Sequence, residues 1–311
     1  MARALIFPGQ GSQAVGMGKA LAEAFPQARA VFDEVDDALG QKLSALMFEG
    51  PADELTLTAN AQPALMAASL AGVRVLEAER GLDLARDVRC VAGHSLGEYA
   101  ALAAAGSLTV ADAARLLRVR GDAMQRAVAP GAGAMAALIG TDLEAAKAIA
   151  AEAADEEACD VANDNGGGQV VLSGHRAAVE RAVAGAQARG IKRAVLLNVS
   201  APFHCRLMAP AAEAMRAALA EVALRAPSVP LYANVTAAPE SDPDAIRRNL
   251  VAQVTGTVRW RESVAAMAEA GVDRFYEVGS GKVLSGLVKR IAAGATATAV
   301  GTPDDVAAFS L

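Results

Sequence analysis

Apolar positions along this chain follow two rhythms. Short, nearly continuous runs at Arg3 to Phe7, Val88 to Ala92, Val229 to Asn234 and Arg274 to Val278 read as buried strands. Between them lie alanine-rich stretches with apolar residues at helical spacing. These predict a helix ending near Phe25, one over Asp53 to Ala78, and one over Val110 to about Val128. Further helices are expected over about Met208 to Val222, Asp244 to Val254, Arg261 to Ala270 and Lys282 to Ala292. Asn60-Ala61-Gln62-Pro63 marks a start in the second helix, and Thr109 with Asp112 offers a capping box to the third. Thr296 to Leu311 reads as a short strand and a terminal helix. Strands alternating with helices predict an α/β fold with a parallel sheet flanked by helices.

The rhythm changes around Pro130 to Gly133. Ala134 to Ile139 reads as a strand, and Thr141 to Ala154 as a helix opened by a Thr141/Glu144 capping box. Cys159 to Asn163 and Gln169 to Ser173 form a hairpin across Gly166-Gly167-Gly168. Arg176 to Arg189 is a helix stopped by Gly190, and Lys192 to Asn198 a strand. The order βαββαβ is that of a ferredoxin-like unit. It predicts a small subdomain, 131–198, inserted into a large α/β catalytic subdomain made of 1–130 and 199–311.

The candidate chemistry centres on Gly93-His94-Ser95-Leu96-Gly97, placed between an expected strand and an expected helix. A G-x-S-x-G turn in that context is a nucleophile elbow: the serine takes a strained conformation, and glycines on either side let the two elements pass close together. The Leu96 N–H at the new helix start is the expected oxyanion donor. Gly9-Gln10-Gly11-Ser12-Gln13-Ala14 follows the first strand and formally fits a dinucleotide fingerprint. The acidic residues about twenty positions on lie in a helical run, not at a strand end, so that reading is rejected. The loop instead forms a second wall of the site, with the Gln10 N–H as a second donor.

Composition narrows the function classes. The 311 residues, 53% hydrophobic, can bury a substantial core, and a net charge of −6 argues against a nucleic-acid surface. The apolar start is too short for a signal peptide, and no stretch suits a membrane span, which predicts a cytoplasmic protein. Cys90, Cys159 and Cys205 have neither disulfide-framework nor metal-ligand spacing.

Helical steps of about 100° place Val110, Ala113, Leu117, Arg120, Met124, Ala127 and Val128 on one face, with Arg115, Arg118, Asp122 and Arg126 opposite. Arg120 thus stands in an apolar stripe, where a guanidinium needs an anion with good geometry. Either a structural carboxylate such as Glu98 or an anionic ligand group can meet that need. A serine nucleophile also needs a base, and the chain has three histidines. His94 adjoins Ser95 and is assigned to the pocket wall; His175 begins a helix in the inserted unit. His204, in Ser200-Ala201-Pro202-Phe203-His204-Cys205 where the chain re-enters the large subdomain, is the best base. No Asp or Glu stands out as its orienter, which suggests a Ser-His dyad held by a backbone carbonyl.

Phe7-Pro8-Gly9-Gln10-Gly11-Ser12-Gln13, Gly93 to Tyr99, Pro202-Phe203-His204 and Glu277-Val278-Gly279 through Gly286-Leu287 occur in the order found in malonyl-CoA:acyl carrier protein transacylases. The chain resembles that acyltransferase family over nearly its whole length. The resemblance implies acylation of Ser95, general acid–base work by His204, and a bidentate hold of Arg120 on the malonyl carboxylate. It also implies an oxyanion hole from the Gln10 and Leu96 N–H groups and a Gln253 carbonyl orienting His204. Asn163 and Asn165 match an Asn-containing strand near the acyl-CoA site, and Phe203 favours malonyl over methyl-branched units. His94 and Met124 complete the candidate substrate-binding set. The implied reaction is ping-pong malonyl transfer to the phosphopantetheine thiol of an acyl carrier protein for fatty-acid or polyketide elongation. The expected enzyme is a monomer that needs no cofactor or metal, with coenzyme A thioester as substrate. A serine thioesterase or esterase using the same elbow is the alternative.

Overall fold

The computed structural model describes every residue except Met1 and Lys192. Strands β1 (Ala2–Phe7), β2 (Cys90–Gly93), β7 (Leu231–Tyr232), β8 (Pro239–Glu240), β9 (Val272–Val278) and β10 (Thr296–Val300) form one sheet. Its order is β10-β9-β1-β2-β7-β8, parallel throughout except for the antiparallel β7–β8 edge. Its inner strands bury apolar residues on both faces: Leu5 and Phe7 pack into one core and Ala4 and Ile6 into another. The remaining strands, β3 (Gly133–Ile139), β4 (Cys159–Gly166), β5 (Gln169–His175) and β6 (Arg193–Leu196), make a separate antiparallel sheet in the order β4-β5-β3-β6. Two helices, Leu143–Ala154 and Arg176–Ala188, cover one face of it around a third core.

The second sheet is tied to the rest of the chain through β4. Asp164 N–H donates to the Val258 carbonyl at 3.0 Å, and Val258 N–H donates to Ala162 at 2.9 Å. The Thr257 hydroxyl reaches the Val161 carbonyl at 2.6 Å, and Arg261 pairs with buried Asp164 at 2.7 Å.

Several expected elements differ in detail, each for a local reason. The first helix spans only Lys19–Ala24, because Gly16 and Gly18 take left-handed φ of 92° and 77° just before it. The expected Asp53 to Ala78 helix is two, Ala52–Thr56 and Thr58–Arg80, separated by the extended ψ of Leu57; Pro63 lies inside the second helix. Helix Leu143–Ala154 is capped by Asp142, which accepts from Ala145 N–H at 2.8 Å; the expected Thr141/Glu144 box is not formed. The Val229 to Asn234 strand shrinks to two residues. Pro230 has no N–H to pair, and Asn234 gives its N–H to the Glu98 carboxylate. Lys192, where the last strand of the small sheet was expected to begin, lies outside the described residues.

Candidate active site

At the carboxyl end of β2 the chain turns through Ser95 into helix Gly97–Ala104. Ser95 has φ of 54°, the left-handed region that a non-glycine residue enters at a cost. The flanking glycines are required by contact. A Cβ on Gly93 would lie 1.9 Å from the Gly97 carbonyl, and one on Gly97 would lie 2.3 Å from the Phe7 carbonyl oxygen. The turn therefore presses against the end of β1 with no room for a methyl group.

The Ser95 hydroxyl lies 2.7 Å from His204 Nε2. His204 Nδ1 faces the Gln253 carbonyl at 2.9 Å and the Gly256 carbonyl at 3.2 Å. Carbonyls only accept, so Nδ1 carries the proton and Nε2 offers its lone pair to the serine. Burial, reinforced by the Arg120 charge, lowers the His204 pKa to about 3. The imidazole is thus neutral at neutral pH, the form a base requires. His204 also has left-handed φ, 57°. His175 is elsewhere, with Nδ1 accepting from the Ala158 N–H, and Cys205 is buried with its thiol turned to the Pro202 carbonyl.

Arg120 comes from helix Val110–Arg126 and is only 1% exposed. Gly121 lets this helix approach helix Thr58–Arg80, since a Cβ there would lie 2.6 Å from the Ala59 Cα. The approach brings Arg120 Nη1 to the Gln62 side-chain oxygen at 2.7 Å. Nη2 donates to the Gln253 side-chain oxygen at 2.8 Å and to Ser95 Oγ at 3.1 Å. Arg120 Nε has no protein partner among the described residues. The guanidinium therefore rests on neutral acceptors. Glu98, the carboxylate considered from sequence, is one residue removed: it accepts from the Gln253 amide and the Asn234 N–H. Burial raises Glu98 to about pKa 8, against the pull of those two hydrogen bonds and of Arg120.

A cavity of about 280 Å³ opens over Ser95. Gln10, His94, Leu96, Arg120, Asn163, Phe203 and His204 line it, together with Gln62 and Met135. The Gln10 and Leu96 N–H groups have no acceptor among the described residues, as donors reserved for a developing oxyanion require. Asn165 sits behind the wall, where its carbonyl oxygen meets His94 Nε2 at 2.9 Å. Gln253 is fully buried and acts on the site through its carbonyl and its side chain. Met124 does not line the cavity; its sulfur lies 3.7 Å from the Gln62 amide, so it backs a wall residue. A larger cleft of about 700 Å³ beside Lys147, Asp160 and Arg206 contains no comparable nucleophile–base pair.

Two participants had no signal in the sequence. Gln62 links Arg120 to Thr58, whose hydroxyl in turn donates to the Gln10 side chain at 2.7 Å. Asn234 binds the elbow itself: its carbonyl oxygen accepts from Ser95 N–H at 2.8 Å and its amide donates to the Gly93 carbonyl at 2.7 Å. Both are uncharged side chains in ordinary local contexts, and only their tertiary neighbours distinguish them. Among the described residues no cluster of His, Cys, Asp or Glu could hold a metal ion.

Comparison with known proteins gives a consistent picture. Residues 4–306 match the acyl transferase domain family. The malonyl CoA-acyl carrier protein transacylase of Escherichia coli is 48% identical over 305 residues, covering 98% of this chain and 97% of that protein. The crystal structure of an acyl-carrier-protein S-malonyltransferase from Bartonella henselae is 58% identical, with a TM-score of 0.97 over 99% of this chain and 98% of that one. A malonyl-transacylase in complex with its type II polyketide synthase acyl-carrier protein is 43% identical, with a TM-score of 0.95 and coverage of 99% and 98%.

Proposed function

Because the chain belongs to the acyl transferase domain family, we propose that it moves a malonyl group from a coenzyme A thioester to the phosphopantetheine thiol of an acyl carrier protein through an ester on Ser95. Its activity is S-malonyl transfer to the carrier, as in the relatives named for that reaction. The observation that carries the covalent route is one oxygen with two partners. Ser95 Oγ lies 2.7 Å from a neutral base and 3.1 Å from a buried guanidinium. A base beside the hydroxyl supports nucleophilic attack, and a cation beside the same hydroxyl supports a substrate that carries its own carboxylate.

In this reading His204 Nε2 takes the Ser95 proton as Oγ attacks the thioester carbonyl, and the Gln10 and Leu96 N–H groups hold the oxyanion. The carbon–sulfur bond then breaks, and the imidazolium returns its proton to the departing thiolate. The carrier's thiol reverses these steps: it loses its proton to His204, attacks the Ser95 ester, and leaves serine protonated. The thioester itself supplies the leaving group, so the reaction as proposed needs no cofactor. Arg120 gives its neutral acceptors a competitor: a bidentate carboxylate is a stronger partner than the Gln62 and Gln253 amides and the Ser95 hydroxyl. Orientation by that fork, with His94, Phe203 and Asn163 around the acyl unit, favours transfer over hydrolysis. The proposed setting is cytoplasmic and the proposed state monomeric; among the described residues no helix is long and apolar enough to cross a membrane.

Mass spectrometry of the protein after incubation with malonyl-CoA tests the route. A malonyl adduct on the peptide containing Ser95, absent from Ser95→Ala and discharged by holo carrier protein, is expected. Free malonate accumulating faster than malonyl-carrier would instead identify a thioesterase.

A further inference from the structure

We propose that Asn234 is a positioning residue for the acyl transfer, acting as a clamp that holds Ser95 in its left-handed conformation. The inference rests on Ser95 being the nucleophile, as proposed above. Asn234 is fully buried two residues past the end of β7, the strand that pairs with β2, and its side-chain amide spans the elbow. The carbonyl oxygen accepts from the Ser95 N–H at 2.8 Å, and the amide donates to the Gly93 carbonyl at 2.7 Å. The two bonds hold the turn on both sides of His94, and the first fixes the peptide that sets the φ of Ser95.

A serine at φ of 54° tends to relax to an ordinary conformation. Relaxation would rotate its side chain away from His204 Nε2 and swing the following peptide, which carries the Leu96 N–H. The nucleophile and one oxyanion donor thus depend on the same dihedral. Asn234 is itself held: its N–H donates to Glu98, its carbonyl accepts from Arg259 N–H at 3.0 Å, and Gln253 Nε2 lies 3.4 Å from its side-chain oxygen. Glu98 and Gln253 therefore connect the clamp to Arg120 and to the carbonyl that orients His204. Asparagine suits the position because it offers one acceptor and one donor without charge. Aspartate has nearly the same shape, but when ionised it turns an acceptor toward the Gly93 carbonyl; when protonated it can donate there again.

The test uses the full chain with Asn234→Ala and Asn234→Asp, malonyl-CoA and holo carrier protein, with the folded fraction measured at each pH. At about pH 8 both variants should lose about 100-fold in kcat, while KM for malonyl-CoA stays within about threefold because Arg120 and the cavity wall are untouched. Lowering the pH to about 5.5 should raise kcat of Asn234→Asp relative to the unsubstituted enzyme by about tenfold or more, and leave that ratio for Asn234→Ala unchanged. The titratable or charged groups facing this site are Glu98, Arg120, His204 and Arg259. All are present in every variant, and Glu98 itself titrates near pH 8, so Asn234→Ala, which keeps these groups and adds no carboxyl, is the reference against which the titration of the new carboxyl beside Glu98 is read. Folded variants with kcat within about threefold of the unsubstituted enzyme overturn the assignment. So does a rise in KM with kcat kept, or an Asp variant whose deficit ignores pH. Failure of both variants to fold at either pH makes Asn234 a stability residue and also overturns it. Should the unsubstituted enzyme form no Ser95 ester, the covalent route fails, which is a separate outcome from variants that match a working enzyme.

Discussion

The six-stranded, mostly parallel sheet and the four-stranded antiparallel sheet face the same cavity, but they contribute differently to it. From the mostly parallel sheet come backbone features: the strained turn at Ser95, the Gln10 and Leu96 N–H groups that have no acceptor among the described residues, and the loop just past β7 that carries Asn234. Parallel strands all finish at one edge, so turns from β1, β2 and β7 converge there. The antiparallel sheet contributes side chains to a wall, with Met135 from β3, Asn163 from β4, and Asn165 behind them on His94. Adjacent strands in such a sheet run in opposite directions, so it cannot gather successive strand ends at one edge in this way. The strained turn and the candidate oxyanion donors therefore belong to one sheet, while the second shapes and closes the space above them.

Substitutions can break this division of labour. The largest effect is expected at Arg120, whose guanidinium lines the cavity over Ser95. Arg120→Ala should lose about 100-fold or more in kcat/KM for malonyl thioesters and less than about tenfold for acetyl thioesters. Steady-state kinetics with both acyl groups would show it. Equal losses would mean that Arg120 serves only to hold Gln62 and Gln253.

The pH profile gives an intermediate effect. With His204 held at about pKa 3 by burial and Arg120, kcat/KM per folded molecule should show no imidazole limb between about pH 6.5 and 4. Stability behaves differently. Unfolded His204 takes a proton below about pH 6.5, whereas the folded residue refuses it until about 3, so stability from this group falls as pH drops through that window. Glu98 acts in the opposite direction. Its folded pKa of about 8 exceeds the unfolded value, so its contribution is full below about pH 4.5 and is lost as pH rises toward 8. Thermal unfolding against pH should therefore peak in the mildly acidic range, and Glu98→Gln should flatten the alkaline side.

The smallest effect is expected in the antiparallel sheet. Asn165→Ala removes the acceptor for His94 Nε2 but no group that meets the reacting atoms. It should cost less than about tenfold in kcat/KM and leave the extent of Ser95 malonylation unchanged. A deficit matching that of Arg120→Ala would show that the wall, and not only the elbow's sheet, carries the chemistry.

What could be seen in the linear chain was whatever local spacing encodes. The elbow shows itself because a left-handed serine between touching elements requires Gly93 and Gly97 at fixed offsets. Arg120 shows itself through helical phase, His204 through elimination among three histidines, and the βαββαβ unit through its succession of rhythms. The Thr109 cap is legible in the sequence, but the cap of helix Leu143–Ala154 and the break at Leu57 are not, because each turns on one residue's backbone angles, which composition and spacing do not report. Met124 shares the face of Arg120 but ends behind Gln62, since phase gives a direction and not a depth.

Only the tertiary structure decided what holds these pieces in register. Asn234 lies 139 positions from Ser95, and Gln62 lies 58 from Arg120. Their amides have no local pattern to distinguish them from any solvated Asn or Gln. The sequence by itself singled out the candidate nucleophile, its candidate base and the buried cation, because a strained turn, a scarce residue type and a misplaced charge each leave a mark within a few residues. The uncharged amides that align them became legible only when folding brought distant segments into hydrogen-bonding contact, for a hydrogen bond depends on distance and direction and not on separation along the chain.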